Sequence, residues 1–317
     1  MSSFSTEVKN ELARNIDTKP CCRIAELAAL MRMGASVSIG GKNLGVNFTT
    51  ENAAIARKTL TLIKESFQLK TEVMVSRARR LKKNNSYLIR VAPSPLVSEL
   101  LTKLGIMQGD NLNVKSDRAL VRRNCCRRAY LRGAFLGGGS VNRPEGEYHL
   151  EFVTGSYQFA ELLVYIFKKF EIVAGLTDRK NDYVVYLKDG ESIMDFLGLV
   201  GADKALTDFE VARNLKDVRN QVNRLVNCET ANLQKTVNAA CRQVERIRYI
   251  QDKIGLEHLP ESLQTIARLR LRHPEATLRD MITLLGNTIG KSGINHRLRK
   301  LEQIASDLEG GKFEPKN

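Results

Sequence analysis

Shifted by 104 positions, the 317-residue chain matches itself. Cys21, Cys22 and Arg23 fall on Cys125, Cys126 and Arg127. Ala25, Leu27, Gly34, Ser36 and Val37 fall on Ala129, Leu131, Gly138, Ser140 and Val141, and Phe48 and Thr50 fall on Phe152 and Thr154. These are ten identities in the thirty ungapped pairs of 21–50 with 125–154, where chance would leave about two, so the first two hundred residues are read as a duplicated unit.

Each copy has the same order of patterns. A helix over about Pro20 to Met33, or Asn124 to Leu136, comes first, with Pro20 suited to the opening turn. Two short strands follow, turned at Gly40-Gly41 in the first copy. In the second, Tyr148, Leu150, Phe152 and Thr154 alternate with His149, Glu151 and Val153, the period of a half-buried strand. A second helix carries Phe159, Leu162, Leu163, Ile166 and Phe170 on one face. Strands Thr71–Arg79 with Tyr87–Val91, and Val173–Arg179 with Tyr183–Leu187, turn at 83–85 and 180–182. A last helix closes each copy, and in the first Ser94-Pro95 is read as N-cap and first turn. The expected order is αββαββα, twice.

Small residues crowd both opening helices: Ala25, Ala28 and Ala29, then Ala129, Gly133, Ala134 and Gly137. They let two backbones approach, which points to the two helices packing together across a pseudo-two-fold axis. The alternative is that each packs alone on its own sheet. This order with these helix ends resembles the LAGLIDADG homing endonucleases. The resemblance implies a saddle of two sheets over DNA, with an acid at the end of each central helix to hold hard divalent cations. The corresponding positions here are Gly34 and Gly138, and no Asp or Glu lies within 27–39 or 131–142. Nuclease chemistry, a catalytic site and a bound metal or other cofactor are therefore expected to be absent. Neither Gly137-Gly-Gly-Ser140, which leads out of a helix, nor Gly290-Lys291-Ser292, which lacks a Gly at Leu285, fits a phosphate loop.

Beyond about Gly201 strand patterns stop. Phe209–Arg224 reads as a basic link and Thr230–Ile254 as a long helix stopped by Gly255. Pro260 opens another helix and Pro274 ends it. Thr277-Leu-Arg-Asp280 resembles a capping box, opening a short helix with Leu278, Met281, Ile282 and Leu285 on its apolar face. After a turn at 286–290, Ser292 is read as the N-cap of a final helix, 293–308, whose core face is Ile294, Leu298, Leu301, Ile304 and Leu308. Its early polar face offers Lys291, Asn295, His296, Arg297, Arg299 and Lys300, with no acid before Glu302. That is the pattern of a recognition helix, whose first turns reach base edges while its flanks meet phosphates. Asn295 and His296 are base-edge candidates. Thr277, Lys291, Ser292, Arg297, Arg299 and Lys300 complete the expected DNA-binding set.

The segments Lys291–Lys300, Val226–Asn232 and Tyr130–Leu136 together resemble the WhiA family, and the resemblance covers essentially the whole chain. It implies a degenerate LAGLIDADG region joined to a C-terminal helix-turn-helix. It also implies a transcriptional regulator linked to sporulation, or to cell division and chromosome segregation. The expected fold is thus α+β: a duplicated saddle followed by an all-α domain. The expected segments are 1–104 (the first repeat with an N-terminal helix), 105–204, a linker 205–225, and 226–317.

Charge agrees with a polyanionic partner. Lys and Arg number 50 against 35 Asp and Glu, for a net +15. Basic runs place Arg77, Arg79, Arg80, Lys82, Lys83, Arg122, Arg123 and Arg128 as a second contact surface, for DNA or for a protein of the transcription machinery such as a sigma factor. Where these lie decides: on the concave sheet face they favour DNA, whereas a neutral face favours protein. Cys21, Cys22, Cys125, Cys126, Cys228 and Cys241 lack a usual zinc spacing, and are read as buried thiols, with a metal site as the alternative. No apolar stretch approaches the ~20 residues of a membrane span, and Met1–Glu7 lacks a signal pattern. The expectation is a soluble, cytoplasmic, nucleoid-associated protein without a small-molecule substrate. Internal symmetry makes monomer the default. The rival readings are a protein-interaction scaffold and a residual metal-dependent endonuclease with relocated acids.

Overall fold

The computed structural model describes residues 3–77, 85–109, 111–113 and 118–312. The chain divides into two compact units, Met1–Asp217 and Val218–Asn317.

The first unit opens with helix α1 (Phe4–Arg14), capped by the Ser3 hydroxyl, which accepts from the Thr6 amide at 3.2 Å. Then α2 (Pro20–Gly34), β1 (Ala35–Gly40), β2 (Asn43–Thr50), α3 (Ala53–Phe67), β3 (Thr71–Arg77), β4 (Asn85–Val91) and α4 (Pro95–Lys103) form the first αββαββα copy. A two-residue ladder, β5 (Met107–Gln108) with β6 (Asn111–Leu112), leads on. The second copy is α5 (Asn124–Gly138), β7 (Gly139–Val141), β8 (Leu150–Thr154), α6 (Tyr157–Lys168), β9 (Gly175–Arg179), β10 (Asp182–Leu187) and α7 (Gly190–Val200). The sheets have corresponding orders, β1-β2-β4-β3 and β7-β8-β10-β9, with antiparallel neighbours throughout. The repeat extends to register: Phe48 stands opposite Ala35 and Ile89, and Phe152 opposite Gly139 and Val185.

Helices α2 and α5 pack on each other at the centre of one shared core, as the small residues crowding both of them imply. A Cβ added to Gly133 would lie 2.2 Å from the Glu26 carbonyl oxygen, and one added to Gly137 would lie 2.5 Å from Met33 Cβ. Side chains larger than hydrogen at these two positions would push the helices apart. In addition, Ser94 occupies the N-cap of α4 but makes no side-chain capping bond.

A second change is the link. Helix α8 runs unbroken from Asp203 to Ile254, 52 residues, so the expected separation between a linker at 205–225 and a helix starting at Thr230 does not occur. No Gly or Pro falls in that span, and nothing in its local propensities stops a helix. Leu215, Val218, Val222 and Leu225 are exposed along it.

In the second unit, α9 (Glu261–Arg272), α10 (Leu278–Leu284) and α11 (Lys291–Glu309) close over the end of α8. Ile247, Ile250, Leu263, Ile266, Met281, Ile294, Leu298 and Leu301 form their common core. Burying each such side chain contributes about 1.5–3 kcal/mol, so a unit of this size can hold three short helices in fixed geometry. Among the described residues no helix is long and apolar enough to cross a membrane.

Candidate DNA-binding site

The position of α11 is set by two local devices. At the start of α10 the capping box is complete: the Asp280 amide donates to Thr277 Oγ1 at 3.3 Å, and the Thr277 amide donates to Asp280 Oδ2 at 2.8 Å. These Thr277 bonds hold the Asp280 carboxyl below its ordinary range. The turn into α11 uses two left-handed residues, Gly286 (φ 63°) and Asn287 (φ 58°), residue types that tolerate that region. The Thr288 hydroxyl closes it by donating to the Leu285 carbonyl at 2.8 Å.

Helix α11 begins at Lys291, two residues earlier than expected, and its N-cap is Gly290. Ser292 is therefore not the cap. Glycine is itself a favoured N-cap residue, and the Ile294 amide already donates to the Gly290 carbonyl at 3.1 Å. Ser292 instead stands exposed in the first turn.

The expected contacts separate into groups. Ser292, His296 and Arg299, spaced i, i+4, i+7, share one exposed face opposite the buried Ile294, Leu298 and Leu301. Lys291 and Lys300 are exposed at its flanks. Asn295 is half-buried and lines a cleft with Thr277, Arg279, Lys291 and Lys235. Arg297 is also half-buried, and one buried guanidinium nitrogen makes no hydrogen bond among the described residues. It sits beside the core-facing positions, so it is not presented as Arg299 is. The Thr277 hydroxyl is engaged in the cap.

Sequence reasoning missed Arg279 and Arg270. Arg279 is exposed on the first turn of α10, in the same cleft as Asn295. The signal was its place inside the capping motif. Arg270 is buried and donates to the Ala276 carbonyl at 2.6 Å, holding the loop before α10.

Of the second basic group, Arg77, Arg122, Arg123 and Arg128 are among the described residues. Arg77 is exposed at the end of β3. Arg122 and Arg123 are exposed just before α5, and Arg128 stacks on Phe170 at 6.0 Å. That is the end of α5 remote from β7, so these three do not line the sheet. Arg79, Arg80, Lys82 and Lys83 lie outside the described residues. By strand register, the sheet faces turned away from the helices carry Ser36, Asn47, Arg90 and Glu72 in one cross-strand row, and Ser140, Glu151, Tyr186 and Gly175 in the other. Among the described residues these rows are close to neutral.

At the helix ends, Gly34 and Gly138 bring no oxygen ligand, and their surroundings leave little room for one. A Cβ on Gly34 would lie 2.8 Å from the Phe48 ring. One on Gly138 would lie 2.1 Å from Met33 Cε and 3.0 Å from the Val153 carbonyl oxygen. The acid upstream on α2, Glu26, is fully buried and fully engaged. It pairs with Lys58 Nζ at 2.5 Å and with the Arg132 guanidinium at 3.0 Å, and Arg132 also reaches Asp17 at 3.2 Å. Lys58 donates in addition to the Leu12 and Asn15 carbonyls.

Comparison with known proteins agrees with this organisation. Residues 20–107 match the model of the WhiA N-terminal LAGLIDADG-like domain, 127–219 that of the WhiA LAGLIDADG-like domain, and 222–305 that of the WhiA C-terminal HTH domain. The chain is 53% identical over 313 residues to the "Probable cell division protein WhiA" of Desulforamulus reducens, covering 98% of this chain and 97% of that one. It is 50% identical to the protein of the same name from Desulfitobacterium hafniense, covering 97% and 96%. The crystal structure of full-length DUF199/WhiA from Thermotoga maritima is 26% identical and superposes with a TM-score of 0.58, covering 96% of this chain and 98% of that one.

Proposed function

This chain belongs to the WhiA family, and on that premise we propose that it is a sequence-specific regulator that binds double-stranded DNA through α11 and does not cut it. The observation that carries this reading is the single exposed face of Ser292, His296 and Arg299 in the first half of α11, flanked by Lys291 and Lys300. Side chains at the start of a recognition helix enter the major groove, where Arg can pair with guanine and His can bond a base edge, while flanking cations meet phosphates. Arg279 adds a phosphate contact from the neighbouring helix. The relatives' common name gives cell division as the process, and the family resemblance adds chromosome segregation and sporulation.

The glycines at 34 and 138 support the absence of cleavage, since metal-assisted phosphodiester hydrolysis needs carboxylates at those ends. The near-neutral rows of the two sheets support a protein partner on the saddle, a component of the transcription machinery, rather than a second DNA duplex. Internal pseudo-symmetry supports a monomer, acting on the nucleoid in the cytoplasm.

The test is a gel shift of fragmented genomic DNA with the full chain in the presence of Mg²⁺. The expected result is retention of a discrete subset of intact fragments. Uniform retention of all fragments, or Mg²⁺-dependent cutting, would overturn the reading.

A further inference from the structure

The repeat brings together two pairs of residues that are far apart in sequence. Cys21 and Cys22 occupy the first turn of α2, and Cys125 and Cys126 the first turn of α5. Because α2 and α5 pack side by side, the four sulfurs meet across the pseudo-two-fold axis, all within 4.8 Å of one another. Cys125 Sγ lies 3.9 Å from Cys126 Sγ. In a tetrahedral zinc tetrathiolate, with Zn–S near 2.3 Å, the sulfurs are about 3.8 Å apart. Two of the thiols, Cys22 and Cys126, are buried, and Cys21 and Cys125 are half-buried, leaving a way in from solvent.

We propose that these four cysteines form a structural site for one soft divalent cation of the Zn²⁺ class, fastening the two repeats together. Four sulfur donors in a tetrahedron select zinc or iron over magnesium or calcium. A spacing this tight fits one ion rather than a cluster whose thiolates are spread over several irons. The buried pair closes the site on one side, as a structural rather than a catalytic metal requires. Binding converts four thiols to thiolates, releases up to four protons and leaves a site of net charge −2. Two helix N-termini, which favour negative charge, and the neighbouring Lys19, Arg23, Arg123 and Arg127 offset that charge.

Cys228 and Cys241 are exposed on α8 and take no part.

The sequence reading missed the site because adjacent cysteines do not resemble a zinc spacing within one copy. The ligand set exists only when the copies pack together.

The test uses the full chain in a Cys228→Ser/Cys241→Ser background, purified under reducing conditions without chelator. The expected result is about one zinc per chain by elemental analysis. Cobalt exchange should give the thiolate-to-metal charge transfer and intense visible bands of a tetrahedral sulfur site. Cys21→Ser/Cys125→Ser, which alters only the half-buried pair, should lose the metal and the cobalt spectrum while remaining folded by circular dichroism. Chelation should lower Tm by several degrees. Four freely titrating thiols and no bound metal after incubation with equimolar Zn²⁺ would overturn the proposal. So would cross-helix disulfides found by mass in protein prepared with reductant, or an unchanged cobalt spectrum in the double serine variant.

Discussion

Glu26 and Arg132 stand 106 positions apart in the chain and face each other in the core through two hydrogen bonds of 3.0 Å. Neither has a charged counterpart in the other repeat. Glu26 corresponds to Tyr130, and Arg132 to Ala28. The duplication has thus been broken at its centre by one asymmetric cluster, Glu26 with Arg132, Lys58 and Asp17.

Among the described residues, removing the carboxylate leaves Arg132 with Asp17 alone as a charged partner and Lys58 with backbone carbonyls only. Breaking a buried pair from one side costs about 3–5 kcal/mol. Glu26→Ala is expected to lose about that much in urea unfolding, read as a lower midpoint at unchanged slope. A relocated catalytic acid would instead leave stability intact and change only chemistry.

At the helix contact two effects oppose each other. Alanine in place of a helical glycine gains up to ~1 kcal/mol of propensity. At Gly133, however, the new Cβ would lie 2.2 Å from the Glu26 carbonyl oxygen, a backbone atom that cannot rotate away. Overpacking of this kind costs about 1–3 kcal/mol or more. Gly133→Ala is expected to be net destabilising, and a raised urea midpoint would show that α2 and α5 are not so closely packed.

Lys9 gives a pH signature. Burial lowers its pKa from 10.5 to about 8, and its Nζ lies 5.8 Å from the Phe135 ring centroid. Between about pH 8 and 10.5 the unfolded chain then holds the proton that the native state has lost, so stability rises with pH through that window. Below pH 8 the native state carries a buried charge and the penalty is complete. Lys9→Met should therefore be more stable than wild type at pH 7, with the gap closing towards pH 10. A gap independent of pH would count against a perturbed Lys9.

Within α11 the two arginines should behave differently. Arg299→Ala is expected to weaken DNA binding by about 1–3 kcal/mol, roughly 5–150-fold, and to reduce the log–log salt slope by about one if the contact is to phosphate, with Tm unchanged. Arg297→Met removes a half-buried cation with an unpartnered nitrogen, and should leave Tm equal or higher with a smaller loss of affinity. Isotherms for the two variants over a range of salt would separate them.

The duplicated helices and the alternating strands were legible because local periodicity and the 104-residue shift are properties of neighbouring residues. The core face of α11 was legible for the same reason: Ile294, Leu298, Leu301 and Ile304 are all buried. What escaped depends on contacts between distant segments. Glu26 looks like any helical acid until Arg132 and Lys58 arrive, and Cys21-Cys22 looks inert until Cys125-Cys126 stands beside it. Arg297 differs from Arg299 by its angle to the core: it flanks the buried Ile294, Leu298 and Leu301, whereas Arg299 stands opposite them. The unbroken α8 escaped because its charged first half reads equally well as a solvated link.

The proposed function requires that α11 read DNA sequence and that the saddle leave DNA uncut. Both requirements meet in one experiment, selection of duplexes from a random pool by the full chain with Mg²⁺, run in parallel with Arg299→Ala. Wild type is expected to enrich one motif in uncut duplexes, and the variant to fail to enrich it. Enrichment of the same motif by the variant, or no enrichment by wild type, would contradict the proposed function.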